Sequence, residues 1–277
     1  MDLHYFLPRP DLRPYVRAYY YFSSEHASAQ PLCAELGNIR VMLDGGGFLV
    51  TPDGARHHIS KAFLIGPTMG AYCMQARAGT RVFGVGIRPQ GWNALAGFDA
   101  NEAADQVIDL TDFAGARAAS HIDAIRNASD FHTMADAADR FFSSLISMRK
   151  KNANAYPAAL EKWLMDPNDP SLDDLLASMS ISQRQTDRLA KRYFGASPKF
   201  LQRKYRALRS ADRIRAGAVG WMQAAGCNFY DQSHFIREFK TFVGVTPNQF
   251  ISNQAELITE IQRRRVQKNP GGLLGSI

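Results

Sequence analysis

The feature that most constrains this chain is a doubled pattern in its last third. Two short polar helical stretches each end in a Gly-x-Ser/Thr-Pro stop. The first runs from Ser171 in SLDDLLASMSISQRQTDRLAKRYFGASP, and the second closes as FYDQSHFIREFKTFVGVTP at Pro247. In each, residues at helical spacing turn apolar groups inward and Arg, Gln, Ser or His outward. A glycine, Gly195 or Gly244, then precedes a proline that cannot continue the helix. These are the marks of two helix-turn-helix units. Two such units on one chain predict a protein that reads two successive turns of double-stranded DNA by itself.

The charge is divided in the same way. Residues 1–148 carry 12 Lys and Arg against 15 Asp and Glu, whereas residues 149–277 carry 21 against 11, and together they make the net charge of +7. A basic half joined to a slightly acidic half fits a phosphate-binding domain attached to a domain with another task. A solubilising charged face would give the same count, so charge alone does not decide.

At 277 residues and 45% hydrophobic content the chain can bury two ordinary cores. Cys33, Cys73 and Cys227 are odd in number, widely spaced and outside any Cys-x-x-Cys array, which predicts neither a disulfide framework nor a zinc site. No apolar run approaches the ~18–20 residues of a membrane span, and MDLHYFLPRPDLRP lacks the basic and apolar blocks of a signal peptide. A cytoplasmic protein with no membrane partner is the expectation.

Up to about residue 90, YVRAYYYF, IRVMLDGGGFLV, HHISKAFLIG, AYCMQA and TRVFGVGI read as strands, punctuated by turns such as Asp44-Gly45-Gly46 and Pro52-Asp53-Gly54. Their alternation is imperfect. After Pro89 the pattern changes to helices, HIDAIRNA and MADAADRFFSSLISM, and the polar break Lys150 to Asn154 marks a boundary. The expected fold class is therefore α+β in two domains. Residues 1–150 form a small β-barrel or sandwich with following helices, a sensing or dimerisation domain. Residues 155–255 form an all-α double helix-turn-helix, and residues 262–277 a disordered tail.

In the first unit Ser171 and Asp174 make a capping-box-like start, Met179 and Ser180 form the turn, and Ser182 caps the second helix. Gln183, Arg184, Asp187 and Arg188 face outward to the major groove, where arginine can take a guanine edge bidentately. In the second unit Asp231 is the cap and Gln232, Ser233, His234, Arg237 and Lys240 project, although His234 could equally cap or pack. Between the units, Pro198 to Gly217 reads as a helix of about 30 Å, close to one DNA turn of ~34 Å. Lys199, Arg203 and Lys204 on it are the candidate phosphate contacts, with internal ion pairs as the competing use.

Ser171 to Phe250 resembles the DNA-binding domain of the arabinose-operon regulator (AraC/XylS) family of bacterial transcription regulators. The resemblance rests on SxRxxxRxxxxxFGxSP from Ser182 to Pro198 and on FxDQSHFxREFKxxxGVTP from Phe229 to Pro247. It departs at the turns, where Ser180 and Asn228 stand in place of glycine, at Thr186 in place of leucine, and at Gly220 and Gln223 in the second support helix. FLPRPDLRPYVRAYYYF, ELGNIRVML, FLIGPTMGAY and GVGIRPQGWNALAG are similar to front domains on one branch of the family. That resemblance implies a domain that senses a small-molecule effector or mediates homodimerisation.

No catalytic motif, cofactor fingerprint or metal set stands out. His26, Glu35, His57 and His58 would be the metal candidates, but adjacent histidines on a strand point to opposite faces. Cys33 and Cys73 lack an activating setting, and Arg88 to Trp92 reads as a functional loop or a rigid turn. The expectation is a regulator that catalyses nothing. The competing reading is a small-molecule-binding or protein-interaction module with a degenerate DNA-binding domain, prompted by the weak second support helix.

Overall fold

The computed structural model describes residues 2–147 and 155–252, apart from 60, 96, 219, 227 and 228. The polar break at 150–154, the tail at 262–277, and the turn residue Asn228 lie outside the described residues.

Among the described residues the front part holds ten strands: β1 (Asp2–Phe6), β2 (Val16–Ser24), β3 (Ser28–Leu32), β4 (Asn38–Asp44), β5 (Gly47–Val50), β6 (Arg56–His58), β7 (Ala62–Ile65), β8 (Tyr72–Ala76), β9 (Thr80–Ile87) and β10 (Val107–Asp109). They form two antiparallel sheets, one in the order β1-β2-β9-β4-β7-β10 and the other in the order β3-β8-β5-β6. Helices α1 (Pro89–Leu95), α2 (Leu110–Ala114), α3 (Ala116–Arg126) and α4 (Phe131–Ser147) complete the domain.

The expected α+β class is what folds, and the imperfect alternation has a physical cause. The six-stranded sheet is covered on both faces. Tyr19, Ile39, Val41, Leu64, Phe83 and Val85 pack in one core with Ile122, Ile125, Phe141 and Phe142 of α3 and α4. Their strand neighbours Tyr20, Met42, Phe63, Ile65 and Val82 pack in a second core with Leu49, Tyr72 and Met74 of the other sheet. Strands buried on both faces read as continuous apolar runs. Two segments expected as single strands each split between the sheets: IRVMLDGGGFLV supplies β4 and β5, and HHISKAFLIG supplies β6 and β7. At the first corner Gly45 and Gly46 take positive φ of 77° and 148°.

Inside the second core lies a charged group. Arg40 is 4% exposed. Its Nε donates to the Tyr20 hydroxyl at 2.9 Å and its Nη2 to the Tyr72 hydroxyl at 2.6 Å, with the Glu35 carboxylate 3.8 Å away. Burial pushes the Tyr20 phenol up to about 12.

The rear part is helical: α5 (Tyr156–Met165), α6 (Leu172–Met179), α7 (Gln183–Phe194), α8 (Pro198–Arg215), α9 (Gly220–Ala225), α10 (Gln232–Val243) and α11 (Pro247–Ile251). Leu160, Trp163, Leu175, Tyr193, Phe194, Leu201 and Tyr205 fill the core of its first half. Leu208, Ile214, Phe235, Phe239, Val243 and Phe250 fill that of the second. The Gly-x-Ser/Thr-Pro motif does more than end a helix. Gly195 and Gly244 close α7 and α10 in the left-handed conformation, at φ of 86° and 93°. Ser197 and Thr246 then cap α8 and α11, whose first residues are the prolines.

Candidate nucleic-acid interface

Helices α7 and α10 each begin at a side-chain cap. Ser171 and Asp174 form a full capping box on α6, and Ser180 turns the chain in the left-handed region at φ 52°. The Ser182 hydroxyl accepts from the Gln185 amide at 3.3 Å to start α7, and Asp231 Oδ1 accepts from the His234 amide at 2.7 Å to start α10. Thr186, in the place of a leucine, is buried with its hydroxyl donating to the Ser182 carbonyl at 3.1 Å, so its polar atom is satisfied in the core.

Gln183, Arg184 and Arg188 are exposed on α7, with Asp187 half-buried. On α10, Gln232, Ser233, Arg237 and Lys240 are exposed. His234 is half-buried, with its ring edge-on to Phe229 at 5.6 Å. Arg184 and Arg188 stand one helical turn apart, as do Ser233 and Arg237, so each set shares a face.

Helix α8 connects the two units over eighteen residues, about 27 Å at 1.5 Å per residue. Of its cations only some face water. Lys199 is exposed. Arg203 is committed to α10: its Nε and Nη2 reach the Glu238 carboxylate at 2.9 and 2.7 Å. Arg206 and Arg209 both bind Asp169, so the internal-pair use applies to them too. Lys204 corrects the expectation of a phosphate contact. It is 1% exposed, and its Nζ donates to the backbone carbonyls of Glu35 at 2.6 Å and Thr68 at 2.8 Å, deep in the contact with the front domain. Burial pulls this amine down to about 7. A side chain so enclosed cannot reach a duplex.

The second support helix is short. Across the six residues of α9 only Ala224 and Ala225 are buried, and Met222 is 70% exposed. The Arg88 turn is structural: Trp92 lies in the front core at 2% exposure, and Arg88 pairs with Glu161 of α5 at 3.2 Å, beside Arg17 at 3.4 Å. Among the described residues no three His, Cys, Asp or Glu side chains gather as a metal site. Burial raises the Cys73 thiol, the opposite of activation. No described helix is long and apolar enough to cross a membrane.

Comparison with known proteins divides the chain in two. Residues 175–253 match a family described as a helix-turn-helix domain, and residues 4–109 match a domain of unknown function, DUF6597. The HTH-type transcriptional regulator GbdR of Pseudomonas aeruginosa, in strains UCBPP-PA14 and PAO1, is 29% identical over 91 residues, which are 32% of this chain and 24% of GbdR. The chain thus spans about a quarter of the length of the curated relatives it matches. Among solved structures, ToxT of Vibrio cholerae in its P21 form gives a TM-score of 0.48 at 11% identity, over 84% of this chain and 97% of ToxT. ToxT with an unsaturated fatty acid bound gives 0.46 at 12%, over 83% and 93%.

Proposed function

We propose that this chain, whose residues 175–253 form a helix-turn-helix domain of the AraC type, is a sequence-specific DNA-binding transcription regulator whose DNA reading responds to an effector. The observation that carries the reading is the pair of capped helices α7 and α10, each presenting an exposed Arg-bearing face and separated in the chain by α8, about 27 Å long against the ~34 Å of a DNA turn. Arg184, Arg188 and Arg237 take base edges. Gln183, Asp187, Gln232, Ser233, His234 and Lys240 flank them, and Lys199 holds phosphate.

An effector-responsive role for the front domain is supported by its direct contact with the rear helices through Glu35, Thr68 and Arg88. The reading makes the protein cytoplasmic and non-enzymatic, acting alone or as a homodimer. A second reading, a binding module with a degenerate second head, is favoured by the short α9.

The test is to sequence the DNA retained by the purified full-length protein from sheared genomic fragments at near-physiological salt. A recurrent motif of two half-sites about one helical turn apart supports the regulator. Diffuse recovery that vanishes with salt supports the degenerate head.

A further inference from the structure

We propose that the front-domain loop 66–71, between β7 and β8, is a clamp that sets the register of the two recognition helices, with Lys204 as the positioning residue that holds it. The inference rests on the DNA-reading assignment above.

Three contacts carry it, at three points of the rear domain. At the end of α7, Pro67 lies so close to Gly195 that a side-chain carbon on the glycine would stand 3.0 Å from Pro67 Cβ. At the end of α10, a carbon on Gly244 would stand 3.0 Å from Ala71 Cβ and 3.1 Å from Pro31 Cβ. The Ala71 amide there donates to the Thr241 carbonyl at 2.7 Å, and the Ala34 amide to the Phe242 carbonyl at 2.8 Å. The front domain thereby supplies partners to carbonyls in the last turn of α10, which have none within their own helix. On the helix that follows α7, Lys204 donates to Thr68 of the same loop and to Glu35.

The loop is anchored on the other side as well. Thr68 and Glu35 bond each other twice, amide to hydroxyl at 2.7 Å and amide to carbonyl at 3.0 Å. The next residue after the loop, Tyr72, is the one that Arg40 grips inside the sandwich. One loop thus touches both reading helices and the helix joining them. A buried amine with two carbonyl acceptors holds the contact only while all three parts stay in place.

The experiment uses the full-length protein and duplexes carrying the two selected half-sites, with the spacer changed one base pair at a time over half a turn. Binding is followed by fluorescence anisotropy at fixed salt. The wild type is expected to prefer one spacing by roughly tenfold, and Lys204→Met to reduce that preference to within about threefold while binding a single half-site as before. Hydrogen exchange reads the clamp directly: the Ala34 and Ala71 amides should exchange faster in Lys204→Met, with the interior of α10 unchanged. Should Lys204→Met fail to fold, Pro67→Gly removes both the Cβ and the Cγ that crowd Gly195 and carries the same spacing expectation. An unchanged spacing preference in the folded variant overturns the clamp and leaves the DNA reading intact. Absence of any sequence-specific binding by the wild type overturns both.

Discussion

Arg184 and Arg237 sit on exposed helix faces and make no ion pair among the described residues, unlike Arg203, Arg206 and Arg209, whose guanidiniums are taken up by Glu238 and Asp169. Replacing either with alanine should therefore leave the melting temperature nearly unchanged. It should cost roughly 1–3 kcal/mol of specific binding and relax preference at one base position. Competition against single-base operator variants checks this; equal weakening on all sequences would assign the residue to phosphate. Lys204 makes the opposite kind of prediction. Its folded value of about 7 lies below that of an exposed lysine. Between about 7 and about 10.4 the unfolded chain therefore holds a proton that the folded chain has released, and stability should rise with pH across that window. Below it both states are protonated and the contribution is flat. Urea unfolding across the window should show the rise in the wild type and lose it in Lys204→Met.

At the scale of the element, the turn of the first unit stores a small strain. Ser180 is exposed and left-handed at φ 52°, where a side chain costs ~1–2 kcal/mol, so Ser180→Gly should stabilise the protein by about 1 kcal/mol in thermal unfolding. Helices α7 and α10, their caps at Ser182 and Asp231 and their glycine stops were legible because each signal lies within a few residues of what it specifies. The strands were less so. β3, SAQPL, and β10, VID, lie at sheet edges and are too short or too polar to show alternation, and the two-faced burial of β4 and β7 hid their partition between sheets. Lys204 could not have been read as buried. Its acceptors lie 169 and 136 residues away, and on α8 it follows Arg203, which keeps a partly exposed side chain.

For the whole molecule, front and rear are tied by ion pairs as well as by the loop. Glu161 of α5 is the shared partner of Arg17 and Arg88, all three largely removed from water. Glu161→Ala would remove the carboxylate that two enclosed cations share, so it should cost roughly 3 kcal/mol and split one cooperative transition into two, as read by calorimetry. The same intimacy limits how parts of this protein can be recombined. Because the Thr241 and Phe242 carbonyls at the end of α10 take hydrogen bonds from Ala71 and Ala34 of the front domain, the rear half is not a self-contained cassette. Spliced behind a foreign front half, it would expose the Thr241 and Phe242 carbonyls and strand the amine of Lys204. Grafts of its DNA preference are better made by exchanging the outward residues of α7 and α10 than by joining halves.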